Sequence, residues 1–481
     1  MNTAIDTYER LSLGHSILEA NNIVNAVPVI MGNYIGPNHE MPLPWPSGDW
    51  YLCQTFVPAV STCEKVVCNT LIPGLKDYYK EIGALPKGSE VIEVDPRTNI
   101  LSNNPELGFP STDPLAMLGR VAVFGELEKR HVLCSTFDSK EVSAQASSIG
   151  LDTLDRTDSF LSNHKARLRR DALDYDIAML PGTILEEWCD LAGAVNSKWN
   201  SKQGTWLKFP TGSGGDLVQK ITGIATEDAI KDARDELRKY VEIAFDAGSF
   251  DTKFSDFWPI DQLCPTDFPL VLEADASISG EAPINGSSQF ITDWQGNTRI
   301  IGHFTQITTN SGEYLGNEPY SDIDDSLRLA AEKQVANVAR YNAEKHNYFG
   351  IAAIDWFATR DYNGEISVLV GELNSRPTAN TPPVIIAQKF GAAHFVNINA
   401  YTQQPIDKVE NYFDVIGKDL AFGDPRTNGL VLPQAFRSVV NQQGVLSSPN
   451  FKMVVLGQNS SHCRDIMGKL SIKGVQFSPE Q

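Results

Sequence analysis

The stretch GIAAIDWFATRDYNGEISVLVGELNSRPTANT, residues 350–381, concentrates the groups that could do chemistry. Asn363-Gly364 near its middle is a strong hairpin signal, because both residues of a two-residue turn must accept positive φ. Such a turn sets Tyr362 opposite Glu365 and, counting outward along both arms, Asp355 opposite Glu372. Side chains alternate between faces along a strand. Asn374 therefore shares a face with Glu372, and Arg376 follows on that face. Ile354, Trp356 and Leu373 point the other way, into a core. Two carboxylates side by side on a sheet repel. They persist when a divalent cation lies between them, and hard oxygen donors of this kind suit Mg²⁺, with water and phosphate oxygens completing the shell. Arg376 can reach an anion beside the metal. A solvated acidic face on an edge hairpin is the other reading of the same pair. Asp, Glu, Asn and Arg together on one face favour the metal.

A metal–phosphate site needs a phosphate cradle, and WLKFPTGSGGDL offers one. Lys208 ends an apolar strand, and Gly212, Ser213, Gly214 and Gly215 follow. A glycine-rich turn lets backbone N–H groups approach phosphate oxygens unobstructed. No Gly-Lys-Ser/Thr closes the run, so it is not a Walker A loop, and no GxGxxG is present. A plain flexible loop is the alternative. No nucleophile signature stands out: G-x-S-x-G and HExxH are both missing. His303 and His346 read as structural, and His303, beside Thr305-Gln306, is the one that could touch substrate.

These groups need elements to hold them. Candidate strands in the first 160 residues are Val27–Met31, Trp50–Phe56, Val91–Val94 and Arg120–Phe124, with helical patterns at Cys63–Leu71 and Glu141–Ser148. Short apolar strands alternating with helices predict a covered, mostly parallel sheet. Gly32 and Asn33 follow the first strand, where open α/β sheets hold ligands; a tight turn is the equal alternative. A polar connector spans about 150–163. Beyond it come short strands at LPGTIL and QGTWLKF, a helix between them at about 185–196, and a helix near Glu227–Ala244. Then follow a strand at 269–274, a hairpin at 287–307 turning at Trp294–Asn297, and a long helix at about Asp325–Lys345. The last 85 or so residues read as a small α/β appendage, with KMVVLG a buried strand and Cys463–Leu470 a helix. The expected domains are 1–160, 161–395 and 396–481.

The whole composition narrows the classes. The 481 residues are 42% hydrophobic and 21% charged, an ordinary globular balance. Acidic residues outnumber basic ones by 60 to 40, giving a net charge of −20. That argues against nucleic acid, which needs a basic footprint, and against an anionic membrane surface. No apolar run has the length of a membrane span, and the N-terminus lacks an apolar signal core. The seven cysteines are scattered without a CxxC. They read as free thiols, and a cytoplasmic location is expected.

Taken in order, these parts resemble the ATP-grasp superfamily over about residues 160–390. The resemblance implies an α/β (in part α+β) chain: an ATP-grasp fold preceded by a Rossmann-like pre-ATP-grasp domain and followed by a small C-terminal α/β domain. It implies that Lys165, in Asn163-His164-Lys165, is the first nucleotide lysine and Lys208 the second. Ser213, Gly214 and Gly215 would close over the triphosphate. Glu273 would meet the adenine amine with the Ala274–Asp275 backbone beside it, and Glu281 the ribose hydroxyls. Asp355, Glu372 and Asn374 match the metal ligands, and Arg376 the arginine of the E-x-N-x-R form. ATP and one or two Mg²⁺ are the implied cofactors, with Mn²⁺ able to substitute. Gln306, Arg376 and Asn380 are implied to face the substrate.

The flanks are similar to pheganomycin-type peptide ligases, on Ser287, Gln289, Thr305, Gln306, Tyr314, Gly316 and Asn317; γ-glutamyl ligases are an equal home. Ala353 stands where the D-alanine ligase pattern has an arginine, leaving Arg376 to stabilise the oxyanion. The resemblance implies carboxylate activation as an acyl phosphate and capture by an amine of an amino acid or peptide, in natural-product biosynthesis. A homodimer is common for this architecture. Carboxylation, phosphoryl transfer and an inactive nucleotide-binding protein are the alternatives.

Overall fold

The computed structural model describes residues 11–31, 49–69, 71–94, 130–135, 146–154, 162–200, 204–210, 218–244, 269–276, 284–308, 314–360, 365–441 and 444–477. Several expectations fall outside these residues: Gly32 and Asn33, Arg120–Phe124, most of the helix at Glu141–Ser148, the loop Ser213–Gly215, Glu281, and the turn Asn363-Gly364.

The N-terminal part carries a parallel four-stranded sheet in the order β3-β2-β1-β4, with β1 Ala26–Met31, β2 Lys65–Asn69, β3 Glu90–Val94 and β4 Arg130–Ser135. Two expectations are corrected here. Cys63–Leu71 is not a helix: its Val66, Val67 and Cys68 are buried in the strand β2. An apolar run of three residues, Val66–Cys68, carries too little periodicity to separate the two states. Trp50–Phe56 is not a strand but part of a 3-10 segment, Asp49–Ala59. Its aromatic residues favour strands in isolation. Tertiary contacts override that preference: the Gln54 Oε1 accepts from the Phe436 N–H at 2.9 Å, with Phe56 and Val57 buried beside it.

Helix α1 (Leu13–Ala20) and helix α2 (Leu75–Glu81) flank this sheet. Helix α3 (Lys165–Asp171) then leads into a small antiparallel sheet, β5-β8-β6-β7. Its strands are β5 Gly182–Leu185, β6 Thr205–Lys208, β7 Val218–Ile221 and β8 Leu270–Ala274. Helices α4 (Leu191–Val195) and α5 (Glu227–Ala244) cover it, and Leu207, Phe209, Leu270 and Leu272 form its core.

The third sheet has eight strands in the order β13-β12-β9-β10-β11-β14-β16-β15. They are β9 Ile284–Thr292, β10 Thr298–Thr308, β11 Tyr314–Pro319, β12 Gly350–Arg360, β13 Ile366–Asn374, β14 His394–Tyr401, β15 Leu430–Asn441 and β16 Gly444–Gly457. The hairpin β9–β10 turns on Asp293, whose Oδ1 accepts from the N–H groups of Gln295 and Asn297, both at 2.9 Å. The long helix α6 (Asp325–His346) packs Leu327, Val335 and Val338 against Phe290, Ile354, Trp356 and Leu373 on one face. Helix α7 (Thr381–Phe390) lies on the other face, against Ile291, Phe304 and Phe395.

The expected C-terminal appendage does not form a sheet of its own. The boundary expected at 395/396 falls inside β14, and β14, β16 and β15 extend the eight-stranded sheet. Helices α8 (Val409–Ile416) and α9 (Ser460–Ile472) complete this end. One continuous core joins it to the N-terminal part, running from Leu13, Phe56 and Tyr79 to Tyr412, Phe436 and Leu470. The Tyr79 hydroxyl donates to the Pro433 carbonyl at 2.8 Å across that join. No helix among the described residues is long and apolar enough to cross a membrane.

Candidate active site

Strands β12 and β13 set Asp355 directly opposite Glu372, and β12 sets Asp355 opposite Ser287 of β9. The route differs from the expected one. Near the hairpin tip the register is Arg360 to Ile366, one residue off that of a two-residue turn. A bulge between Asp355 and Trp356 absorbs the difference, leaving Gly371 as the extra residue. A Cβ at Gly371 would lie 2.7 Å from the Phe357 ring.

Asp355 is half-buried and Glu372 is 23% exposed. Burial first, and the Glu372 charge second, push the Asp355 carboxyl up to about 6; hydrogen bonds from Ser287 and Asn374 and the Arg376 charge oppose the rise. Lys165 Nζ lies 3.1 Å from Glu372 Oε1. Asn374 Nδ2 donates to Asp355 Oδ2 at 3.2 Å, and Arg376 Nη2 donates to Asn374 Oδ1 at 2.8 Å. Two carboxylates held this close, one with a raised pKa, fit a divalent cation. Asn374 as oriented offers its NH₂ to Asp355 and its oxygen to Arg376. It becomes an oxygen ligand only by turning its amide over.

The corner before α3 ties this face to the small sheet. Asn163 Oδ1 accepts from the Ser375 N–H at 2.7 Å, at the end of β13. Lys165 N–H donates to the Pro210 carbonyl at 2.8 Å, just past β6. The His164 ring accepts from the Arg167 N–H and caps the helix. Lys165 is thereby lodged between the carboxylate pair and Pro210.

Lys208, at the end of β6, meets Glu273 of β8, which is only 2% exposed. Arg169 Nη2 reaches the other oxygen of that carboxylate at 2.5 Å, and its Nη1 donates to the Leu180 carbonyl at 3.0 Å. Burial, the largest single influence, opposes ionisation of Glu273, but Lys208 and Arg169 together hold its carboxyl below the usual value. Glu273 is therefore committed to two cations rather than open to a base's amine. The N–H groups of Ala274 and Asp275 are likewise engaged, by the Pro181 and Gly204 carbonyls at 2.8 and 3.1 Å. Arg169 escaped the sequence reading. The signal was its position one helical turn after Lys165.

The remaining candidates lie across the same face of the large sheet. Gln306 of β10 is exposed and stands opposite Asn317 of β11, which stands opposite Asn397 of β14. Asn397 Nδ2 donates to Asn317 Oδ1 at 3.3 Å and to the Ala379 carbonyl at 3.1 Å. Asn380, next in the chain, is buried at the start of α7. Gln289 is bonded to Thr378, and its Oε1 accepts from Thr381 Oγ1 at 3.0 Å. His303 lies on the opposite face, 2.8 Å from Ser288 Oγ, which also accepts from the Trp356 indole at 2.8 Å.

No protein-family model matches the sequence, and no curated protein matches it. Solved structures do resemble the fold. A biotin carboxylase from Campylobacter jejuni, in complex with β-γ-ATP, aligns over 94% of this chain and 92% of its own at a TM-score of 0.51 and 13% identity. The biotin carboxylase domain of a Hydrogenobacter thermophilus 2-oxoglutarate carboxylase, a dimer holding MgADP and bicarbonate, aligns over 94% and 90% at 0.50 and 12%. A Rhizobium etli pyruvate carboxylase aligns over 92% of this chain and 37% of its own at 0.51 and 13%. The chain has the ATP-grasp fold. Helix α3 and the small sheet carry Lys165 and Lys208, and the large sheet carries the carboxylate pair.

Proposed function

We propose that the chain is an ATP-dependent carboxylate–amine ligase that forms an amide bond between amino acids, or between an amino acid and a peptide. The observation that carries this reading is the placement of Asp355 opposite Glu372 with Lys165 and Arg376 at their sides. Phosphoryl transfer is largely positioning and charge neutralisation, and this face concentrates both. Asp355 and Glu372, joined by Asn374 once its amide turns, would hold Mg²⁺, which would neutralise the phosphates and polarise the γ-phosphoryl group.

In the proposed cycle a carboxylate oxygen attacks the γ-phosphorus and ADP leaves. An amine then attacks the acyl phosphate, phosphate leaves, and the amine gives up its proton. Lys165 and Lys208 would bind the triphosphate, and Ser213, Gly214 and Gly215 would cover it. Arg376, fixed by Asn374, would orient the acyl phosphate and stabilise its oxyanion. Ala274, through its carbonyl, and Glu281 would face the nucleoside. Gln306 and Asn380 would face the substrate. A homodimer is the proposed assembly. A peptide linkage, as in the pheganomycin-type ligases, and a γ-glutamyl linkage remain the two finer forms of the proposal.

The test is ADP release from MgATP across amino acids, small peptides and bicarbonate, with hydroxylamine present to trap acyl phosphates. ADP together with one hydroxamate supports the ligase and names the acyl donor. ADP with bicarbonate alone makes the enzyme a carboxylase. AMP and pyrophosphate would rule out the acyl-phosphate route.

A further inference from the structure

Glu273 poses a problem that the nucleotide-binding reading must solve. Lys208 is bonded to its carboxylate, yet a lysine that binds a phosphate must let go of its acid. A buried carboxylate left without its cation carries a large desolvation penalty. We propose that Arg169 is a positioning residue that keeps Glu273 neutralised, so that Lys208 is free to exchange that carboxylate for a nucleotide phosphate.

The two cations are not equivalent. Arg169 lies within α3 and is anchored twice, to Glu273 Oε1 and to the Leu180 carbonyl. Its guanidinium keeps its charge and engages two acceptors at once with a rigid fork. Lys208 is the last residue of β6, is 13% exposed, and precedes the run Thr211–Gly215. It has a flexible stem and a single carboxylate contact. Arg169 is therefore the resident partner and Lys208 the one that exchanges. Arg169 also stands one turn from Lys165, which is 3.1 Å from Glu372, so one helix fixes charge in both sheets. The inference rests on the proposed nucleotide site.

The test is calorimetric titration of the full chain with MgADP. Arg169→Met leaves Glu273 with Lys208 alone, so the lysine stays on its acid and MgADP affinity falls about tenfold. Adding Glu273→Gln to that variant removes the acid that retains Lys208, and affinity returns to within about threefold of the wild type. Arg169→Lys keeps the charge but cannot serve both acceptors, and it loses about threefold. It asks the same question should Arg169→Met fold poorly, because Glu273→Gln again restores binding. With a turnover assay in hand, KM for ATP rises more than kcat falls. Unchanged affinity in Arg169→Met, or a double variant no better than the single one, overturns the inference while leaving the nucleotide site standing. Absence of MgADP binding in the wild type overturns both.

Discussion

Asp355 and Glu372 face each other because, between this pair and the hairpin tip, β13 carries one residue more than its partner strand. Between the hairpin tip and Trp356 the strands pair one step away from the register that aligns the carboxylates, and the bulge at Gly371 corrects it. Deleting Gly371 should therefore do more than shorten a strand. A one-residue slip turns every side chain on one side of the change to the opposite face. We expect ATP turnover to be lost in that deletion. Gly371→Ala, which only presses on Phe357, should keep the register and lose stability, and thermal melts and ADP release distinguish the two.

The carboxylate pair should make stability depend on pH and on divalent cations. The folded chain holds the Asp355 proton at about 6 against an ordinary 3.8. Its contribution to stability is thus fully present below 3.8 and is lost as pH rises through about 6. A cation competes with that proton. Added MgCl₂ should raise Tm more at about pH 7.5 than at about pH 5, and Asp355→Asn should abolish the difference.

Glu372→Ala and Lys208→Ala should each lower turnover by roughly 100-fold or more while the fold is retained. Activity within a few-fold of wild type in either would remove that residue from the site. Steady-state ADP release and circular dichroism on the same samples give both readings.

Glu273 should matter more to stability than either of its partners. Removing it leaves two half-buried cations facing each other, and Glu273→Ala should cost about 3 kcal/mol. Lys208→Ala leaves the Arg169–Glu273 pair intact and should cost less. Denaturant unfolding of the two variants gives the comparison.

Lys389 is a structural amine at the far end of α7. It donates to the carbonyls of Pro58, Val60 and Ala84 at 2.7–2.8 Å, and burial pulls its pKa down to about 8. Lys389→Met should cost about 2–4 kcal/mol by leaving those carbonyls unsatisfied, measurable by thermal unfolding.

The shared face of Glu372 and Asn374 was legible because side chains alternate along a strand; the Asp355–Glu372 pairing, expected from a two-residue turn, holds because a bulge restores that register. The bulge was not legible, since a glycine within a strand does not announce which register it repairs. Lys165 and Lys208 stood out by their order in the chain. Arg169 did not, because its role appears only when one helix is seen to touch both the large and the small sheet. The strand at Lys65–Asn69 and the 3-10 segment at Asp49–Ala59 were misread for one reason. Short apolar segments take the conformation their neighbours impose, and those neighbours include Phe436, nearly four hundred residues away in sequence.

That distance bears on how the chain comes to be folded in a cell. The N-terminal strands emerge from the ribosome first, yet Tyr78 and Tyr79 find their carbonyl partners at Ala421 and Pro433, and the Val409 N–H its partner at Pro73. Translation of more than three hundred further residues separates these halves of one core. During that interval the apolar surface around Leu75, Tyr79 and Phe56 lacks its final cover.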